Sequence, residues 1–408
     1  MPHGPRLSYL PDFKGRESLY RRLDVENAEV RVLTVWPNED SSSPLEGTLA
    51  IQSLLDVFTK KRNYDALSYY WGSANDLENV VIHGSDEARP THSYQVPVTK
   101  NLTSALRQLR EQRTAACEPL EIWTDALCIN QRDAEERSHQ LGMMCEIFQS
   151  SRSVRVWLGA RDCSPAAGSG LAGLIAISHY FDVHAFHSEP AWHGGHRPIT
   201  QHTLEAQEMV NSMCALMDLP YWHRGWVLQE VCVHDVPVFL HLGDQSCELV
   251  SWRLFYRTLG KAMELAKSHK MFDALESLLD NVEVCVPFVL AEKIRAADMR
   301  GTPLGPTLSG KLDRLPDTMI PQRRWQTTDP RDFIYVLHGL HPIFRDLQVC
   351  YSDDVETVFS DATIILLQKT GKWSRVYWSV PSASAYLPSW VVDFSSSVTY
   401  MTFTDYVL

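Results

Sequence analysis

The chain has 408 residues, 44% of them hydrophobic, which is enough to bury a large core in two or three domains or in one domain with a long extension. A formal net charge of −12, with no basic run longer than Lys60-Lys61-Arg62, excludes a surface built for nucleic acid or an anionic membrane. Nine scattered cysteines without a C-x-x-C pair exclude a disulfide framework and a zinc site, and neither a secretion signal in Met1–Tyr20 nor a membrane span is visible, so a reducing, cytoplasmic setting is expected.

Residues 1–28 are polar and read as a flexible N-terminal segment. Glu29–Trp36 alternates apolar and polar side chains as a half-buried strand does, and Gly47–Leu55 reads as a second strand at a sheet edge. Tyr64–Gly72 is a short apolar run that ends in Tyr69, Tyr70, Trp71 and Gly72. Val80–Gly84 and Tyr94–Val98 flank a polar turn and suggest an inserted hairpin. Lys100–Gln112 is a helix, because Leu102, Ala105, Leu106 and Leu109 recur at helical spacing.

The stretch Glu121–Gln131 starts apolar and ends in Asp125, Cys128, Asn130 and Gln131, the way a buried strand delivers polar groups to the rim of a sheet. Asp133-Ala-Glu-Glu136 then reads as a capping box opening a helix whose buried stripe is Leu141, Met144, Cys145 and Phe148. Val154–Gly159 is a third buried strand. This alternation predicts an α/β fold, a mostly parallel sheet with helices on both faces and the carboxyl ends of the three strands along one edge. Ser68, Tyr69, Trp71, Gly72, Asp125, Asn130, Gly159 and Arg161 fall at that edge, the default place for a ligand.

A G-x-G-x-x-G match at Gly168–Gly173 lies too far from any strand for a phosphate cradle and reads as a loop opening a helix at Leu171–Phe181. His184, His187, His193 and His196 show no ligand spacing, so no metal is expected. A helix over Thr203–Asp218 is stopped by Pro220. Tyr221–Val231, if helical from about Trp222, places Trp226 and Glu230 on one face beside Gln229. Two readings stay open there: a functional carboxylate, or a core tryptophan with Glu230 paired to an arginine such as Arg224.

After a strand at Pro237–Gly243 the chain reads as mainly helical, with segments at Ser251–Ser268, Phe272–Leu279, Pro287–Met299, Phe333–Leu340 and a long helix from Asp353-Asp-Val-Glu356 to Gly371. Asp329 and Asp332 read as a helix-start device, and Leu387–Phe394 as a late strand or docking segment. The expected organisation is a 1–28 segment, an α/β domain over 29–250 and a helical extension over 251–408.

The blocks Tyr64–Gly72, Ile122–Gln131, Val154–Gly159, Tyr221–Glu230, Asp329–Leu340 and Leu387–Asp393, in this order, resemble the fungal heterokaryon incompatibility (HET) domain family. Tyr70, Thr124 and His338 depart from its usual residues. The family resembles TIR domains remotely, which implies a flavodoxin-like sheet, and it is associated with non-self recognition and programmed cell death. By that resemblance Trp226 and Glu230 correspond to the tryptophan and glutamate of TIR domains, whose enzymatic members cleave the nicotinamide glycosidic bond of NAD. The resemblance thus implies Glu230 as catalytic carboxylate, with Trp226, Tyr69, Trp71, Gly72, Asp125 and Asn130 lining the site, NAD or a related nucleotide as substrate and no cofactor. A fixed carboxylate suits that chemistry, because bond breaking builds positive charge on the ribose. The competing expectation is a non-enzymatic module acting through self-association or a recognition partner, with Tyr69, Tyr70 and Trp71 as interface anchors.

Overall fold

The computed structural model describes residues 11–57, 63–84, 92–114, 118–160, 167–172, 208–231, 236–249, 327–338, 342–370 and 387–395, apart from positions 41, 209 and 389, together with scattered positions between 260 and 271. The expected helices at Phe272–Leu279 and Pro287–Met299, most of Ser251–Ser268, the four histidines from His184 to His196 and Arg161 lie outside the described residues.

Nine strands form one sheet: β1 (Glu29–Val35), β2 (Glu46–Ser53), β3 (Asp65–Tyr69), β4 (Leu77–His83), β5 (Ser93–Thr99), β6 (Leu120–Trp123), β7 (Ser153–Gly159), β8 (Val238–Leu242) and β9 (Gln245–Glu248). Their order is β5-β4-β2-β1-β6-β3-β7-β8-β9. The centre, β6-β3-β7-β8, is parallel throughout, and β1 and β9 flank it antiparallel. Counted among themselves these four strands run second, first, third, fourth, the beginning of the flavodoxin-like order.

Burial explains the parallel centre. Every residue of β3 is buried, as a strand covered on both faces requires. Side chains alternate between faces along a strand. Ser68 meets Glu230 below the sheet, whereas Trp157, in register with Tyr69, donates to Asn101 Oδ1 at 2.9 Å on the other side.

The β4–β5 hairpin is present as expected, and it moves β2 away from the edge. β2 pairs with β1 antiparallel and with β4 in parallel, so the inserted hairpin extends the sheet past it.

Two short helices, α1 (Arg16–Leu19) and α2 (Leu54–Val57), precede α3 (Lys100–Thr114), which packs on β4, β5, β6 and β7. After β6 come α4 (Asp125–Cys128), α5 (Ala134–Gly142) and α6 (Met144–Gln149). The single helix read after Asp133 is broken at Met143 (φ −100°, ψ 12°). Asp133 caps α5, accepting from the amides of Glu135 and Glu136 at 3.0 and 3.1 Å. The reciprocal half of the capping box is not made. Glu136 instead accepts from the Asn130 amide and pairs with the buried Arg31 of β1, both at 2.6 Å.

Arg31 also donates to the carbonyls of Cys128 and Arg21, and the Tyr20 hydroxyl donates to Leu127 O at 3.0 Å. Tyr20 and Leu23 are buried. The stretch around residues 20–23 is therefore anchored on the domain.

Beyond the sheet centre lie α7 (Val227–Val231), α8 (Asp332–His338) and α9 (Val355–Thr370). α7 packs against α6 and β3 and is met by α8, which in turn packs on α9. Asp354 caps α9 by accepting from the Thr357 amide at 2.8 Å.

Candidate functional site

β3 ends at Tyr69, and the chain turns away at Gly72, whose φ of 82° a side chain would strain. β6 ends earlier than its sequence suggests. The stretch from Glu121 leaves the strand after Trp123 and winds into α4, so Asp125 stands in a helical turn at the carboxyl end of the strand. The Trp71 indole N–H reaches across and donates to Asp125 Oδ2 at 2.7 Å.

A cavity of about 340 Å³ opens at this edge. Tyr70, Trp71, Gly72, Asp125, Gln131, Arg224 and Trp226 line it together with Arg137, Leu141, Met144, Asp329, Asp332 and Tyr351. The volume falls at the small end of the range for ligand sites, about 300–1,000 Å³.

Arg224 is the central group. Its guanidinium pairs with both oxygens of Glu230, at 3.0 and 3.1 Å, and stands 3.7 Å from Asp125 Oδ2. It also donates to the Tyr69 carbonyl. Ser68 donates to Glu230 from the other side, and the Tyr221 hydroxyl lies 2.7 Å from Ser68 Oγ. Glu230 is 2% exposed and does not reach the cavity, from which Arg224 separates it.

Burial pushes the pKa of Glu230 up, with Arg224 opposing it, and burial likewise raises Asp125 against the opposing pull of Arg224. For Arg224 burial works against the charge, yet Glu230 and Asp125 outweigh it and raise its pKa.

The start of α8 and the turn before it bring Asp332 and Asp329 to the cavity. Asp329 accepts from the Arg331 amide at 3.0 Å, the helix-start role its sequence suggests, and pairs with the Arg331 side chain at 2.6 Å. Arg331 continues to the carbonyls of Tyr351 and Asp353, tying the loop before α9 to the site. Asp332 accepts hydrogen bonds from the Tyr351 hydroxyl and from Trp226. Burial, together with the neighbouring Asp329, pushes Asp332 up to about 6.

Of the residues singled out in the sequence, Trp71, Gly72, Asp125 and Trp226 meet at the cavity. α7 begins at Val227 instead of Trp222, because Pro220–His223 forms a 3-10 turn. Trp226 and Glu230 nevertheless keep their spacing, since the Glu230 amide donates to the Trp226 carbonyl at 3.3 Å. Tyr69 lies beneath the cavity at 1% exposure. Asn130 is turned away, its side chain accepting from Arg16 at 3.5 Å, while its neighbour Gln131 lines the pocket and donates to the Asp125 carbonyl at 2.7 Å.

Arg137, Asp332 and Tyr351 were not legible as site residues. Arg137 looks like a solvated helix position, yet it is buried with its guanidinium 4.0 Å from the Tyr351 ring centroid. The described part of the glycine-rich match, residues 168–172, is helical and forms no cradle. Among the described residues no group of three or more His, Cys, Asp or Glu is placed to hold a metal ion.

Residues 64–230 match the family model described as heterokaryon incompatibility protein (HET). A curated relative, heterokaryon incompatibility protein 6, OR allele, of Neurospora crassa, is 37% identical over 99 residues, which are 24% of this chain and 14% of that protein's length. No solved structure matches the chain. Trp71, Asp125, Arg224 and Trp226 all fall within the matched span, so the part of the chain that carries the cavity is similar to the heterokaryon incompatibility (HET) family.

Proposed function

We propose that the chain acts in fungal heterokaryon incompatibility as a ligand-responsive signalling module that triggers cell death by partner binding or self-association, with no chemistry of its own. The family match and the printed name of the Neurospora relative support the biological role. The observation that carries the non-enzymatic reading is the state of Glu230. At 2% exposure, with both oxygens engaged by Arg224 and one also by Ser68, it offers nothing to a substrate in the cavity. Tyr70, 37% exposed beside Trp71, gives the rim an aromatic anchor of the kind that dominates binding surfaces.

The test is a fusion assay between strains carrying the intact protein or Trp71→Ala, with protein level and circular dichroism compared. Loss of the death response in a folded variant supports the reading; an unchanged response removes the pocket from it.

A second reading, cleavage of the N-glycosidic bond of NAD, is favoured by the sharing of Arg224. One movement of that side chain would open Glu230 to the cavity beside Asp125, where a carboxylate could stabilise positive charge on a ribose. Nicotinamide release by the purified, assembled protein decides between them. Release that disappears in Glu230→Gln establishes the enzyme, and silence of the intact protein sustains the module.

A further inference from the structure

We infer that the pocket takes an organic cation with N–H donors, an ammonium or guanidinium group, received by Asp125. The inference rests on the pocket being the responsive site, and names what occupies it.

Charge balance is the first argument. Four largely buried carboxylates, Asp125, Glu230, Asp329 and Asp332, stand at or behind the cavity against three guanidiniums, Arg137, Arg224 and Arg331. Asp329 is closed by Arg331. Asp332 takes neutral donors from Tyr351 and Trp226. Asp125 and Glu230 are left to share Arg224, which sits nearer Glu230 (3.0 Å) than Asp125 (3.7 Å).

Asp125 thus opens to the cavity with only the longer share of one arginine. Its Oδ2 takes only the Trp71 indole as a close donor. Its Oδ1 is shielded from solvent and makes no well-formed hydrogen bond, and the Tyr69 hydroxyl and Ala126 amide are the carboxyl's other polar neighbours. A cation donating to this carboxylate would supply the missing charge where a buried acid is otherwise costly.

The walls point the same way. Tyr70, Trp71 and Trp226 line the cavity, and both indole N–H groups are committed to carboxylates, which fixes the rings and leaves their π surfaces as contacts. Such surfaces attract cations. The net charge of −12 draws cations toward the protein as a whole. A phosphate-bearing ligand would instead meet Asp125, Asp329 and Asp332, with Arg224 already engaged by Glu230 and Arg137 held over the Tyr351 ring, and the glycine-rich stretch at 168–172, being helical, offers it no backbone cradle.

The experiment is isothermal titration of the full chain with agmatine, a short arginine-containing peptide and inorganic pyrophosphate, for the intact protein and for Asp125→Asn. Agmatine is expected to bind, and Asp125→Asn to weaken it by about 10- to 100-fold, the value of one charge-assisted hydrogen bond. Trp226→Leu, which leaves every carboxylate in place, is expected to weaken it by about three-fold or more through the lost π surface. Binding of agmatine but not the peptide points to a free amine; binding of both points to a basic side chain offered by a partner. Pyrophosphate binding without either cation overturns the inference, as does agmatine binding that Asp125→Asn leaves unchanged in a folded protein. Absence of cation binding in a chain whose fusion response still depends on Trp71 overturns the ligand class alone and leaves the signalling site standing.

Discussion

The two ends of β3 treat buried carboxylates in opposite ways. At the amino end Asp65, 1% exposed, meets Arg152 at 3.0 Å, Arg113 at 3.3 Å and Arg155 at 3.5 Å, and accepts from Ser153 Oγ at 2.7 Å. Burial alone would raise its pKa, but hydrogen bonds and charge from Arg152, Arg155 and Ser153 outweigh burial and hold it below the usual carboxylate range. At the carboxyl end two carboxylates share one arginine, and both are pushed up. A surplus of cations makes a closed structural knot, whereas a deficit beside a cavity makes a place that can still accept something. Perturbation of a pKa marks both ends; its sign separates them.

Arg224→Met should break the comparison most strongly. It leaves Glu230 and Asp125 buried without a cation, which costs about 3–5 kcal/mol at neutral pH. Both carboxyls then rise further, so the folded state binds protons that the unfolded state releases and the deficit shrinks as pH falls. Urea denaturation at neutral and mildly acidic pH measures it; a deficit independent of pH would contradict the charge account.

Asp332 comes next. Its folded pKa of about 6 lies above the ordinary carboxylate value of 3.8, so its contribution is fully present below the unfolded value and is lost as pH rises through about 6. The full span is worth about 3 kcal/mol. Asp332→Asn should flatten the stability profile in this window while keeping a partner for Tyr351.

At the other end of the strand, Asp65→Ala should cost about 1–3 kcal/mol, the penalty for unpaired buried partners. Its three arginines are 19–38% exposed and can rehydrate, which limits the loss. The sign of its pH dependence is reversed. Asp65 stabilises above its unfolded pKa and loses that contribution as pH falls through its lowered folded value, so the variant should lose part of the normal acid sensitivity below about pH 4.

The smallest effect belongs to Trp71→Phe, which removes one indole donor to Asp125 and should cost about 1 kcal/mol, read as a shift in the urea midpoint.

The sheet centre was legible because its signal is local. Short, mainly apolar runs such as Ala66–Leu67 and Val156–Leu158 announce strands buried on both faces. The α3 stripe and the Asp133 cap were readable for the same reason, since period and capping act over a few residues. Long-range pairings carried no such mark. Nothing in Arg31, set among alternating residues of β1, foretold that Glu136, 105 positions away, would bury it. The pocket was half legible. Trp71, Asp125 and Trp226 end or adjoin buried elements, whereas Asp332 and Tyr351 reach the site through the docking of α8, which no periodicity encodes. Glu230 was placed at the right strand end but one layer too shallow, because only the observed ion pair puts Arg224 between it and the cavity.

The course of the sheet also bears on what can be cut out or exchanged between proteins. The β4–β5 hairpin lies inside residues 64–230, but it joins the other strands only through β2 and β1, which precede that span. A fragment trimmed to 64–230 would leave the hairpin held by α3 without its strand partner and strip both flanks of the parallel centre, baring β6 on one side and β7 on the other. Unpaired apolar edges of this kind invite clumping between copies. Removing α8 as well would untie Trp226 from Asp332. The smallest portable piece therefore reaches from β1 to the loop that carries Tyr351, and chimaeras joined outside those limits are the ones expected to stay soluble.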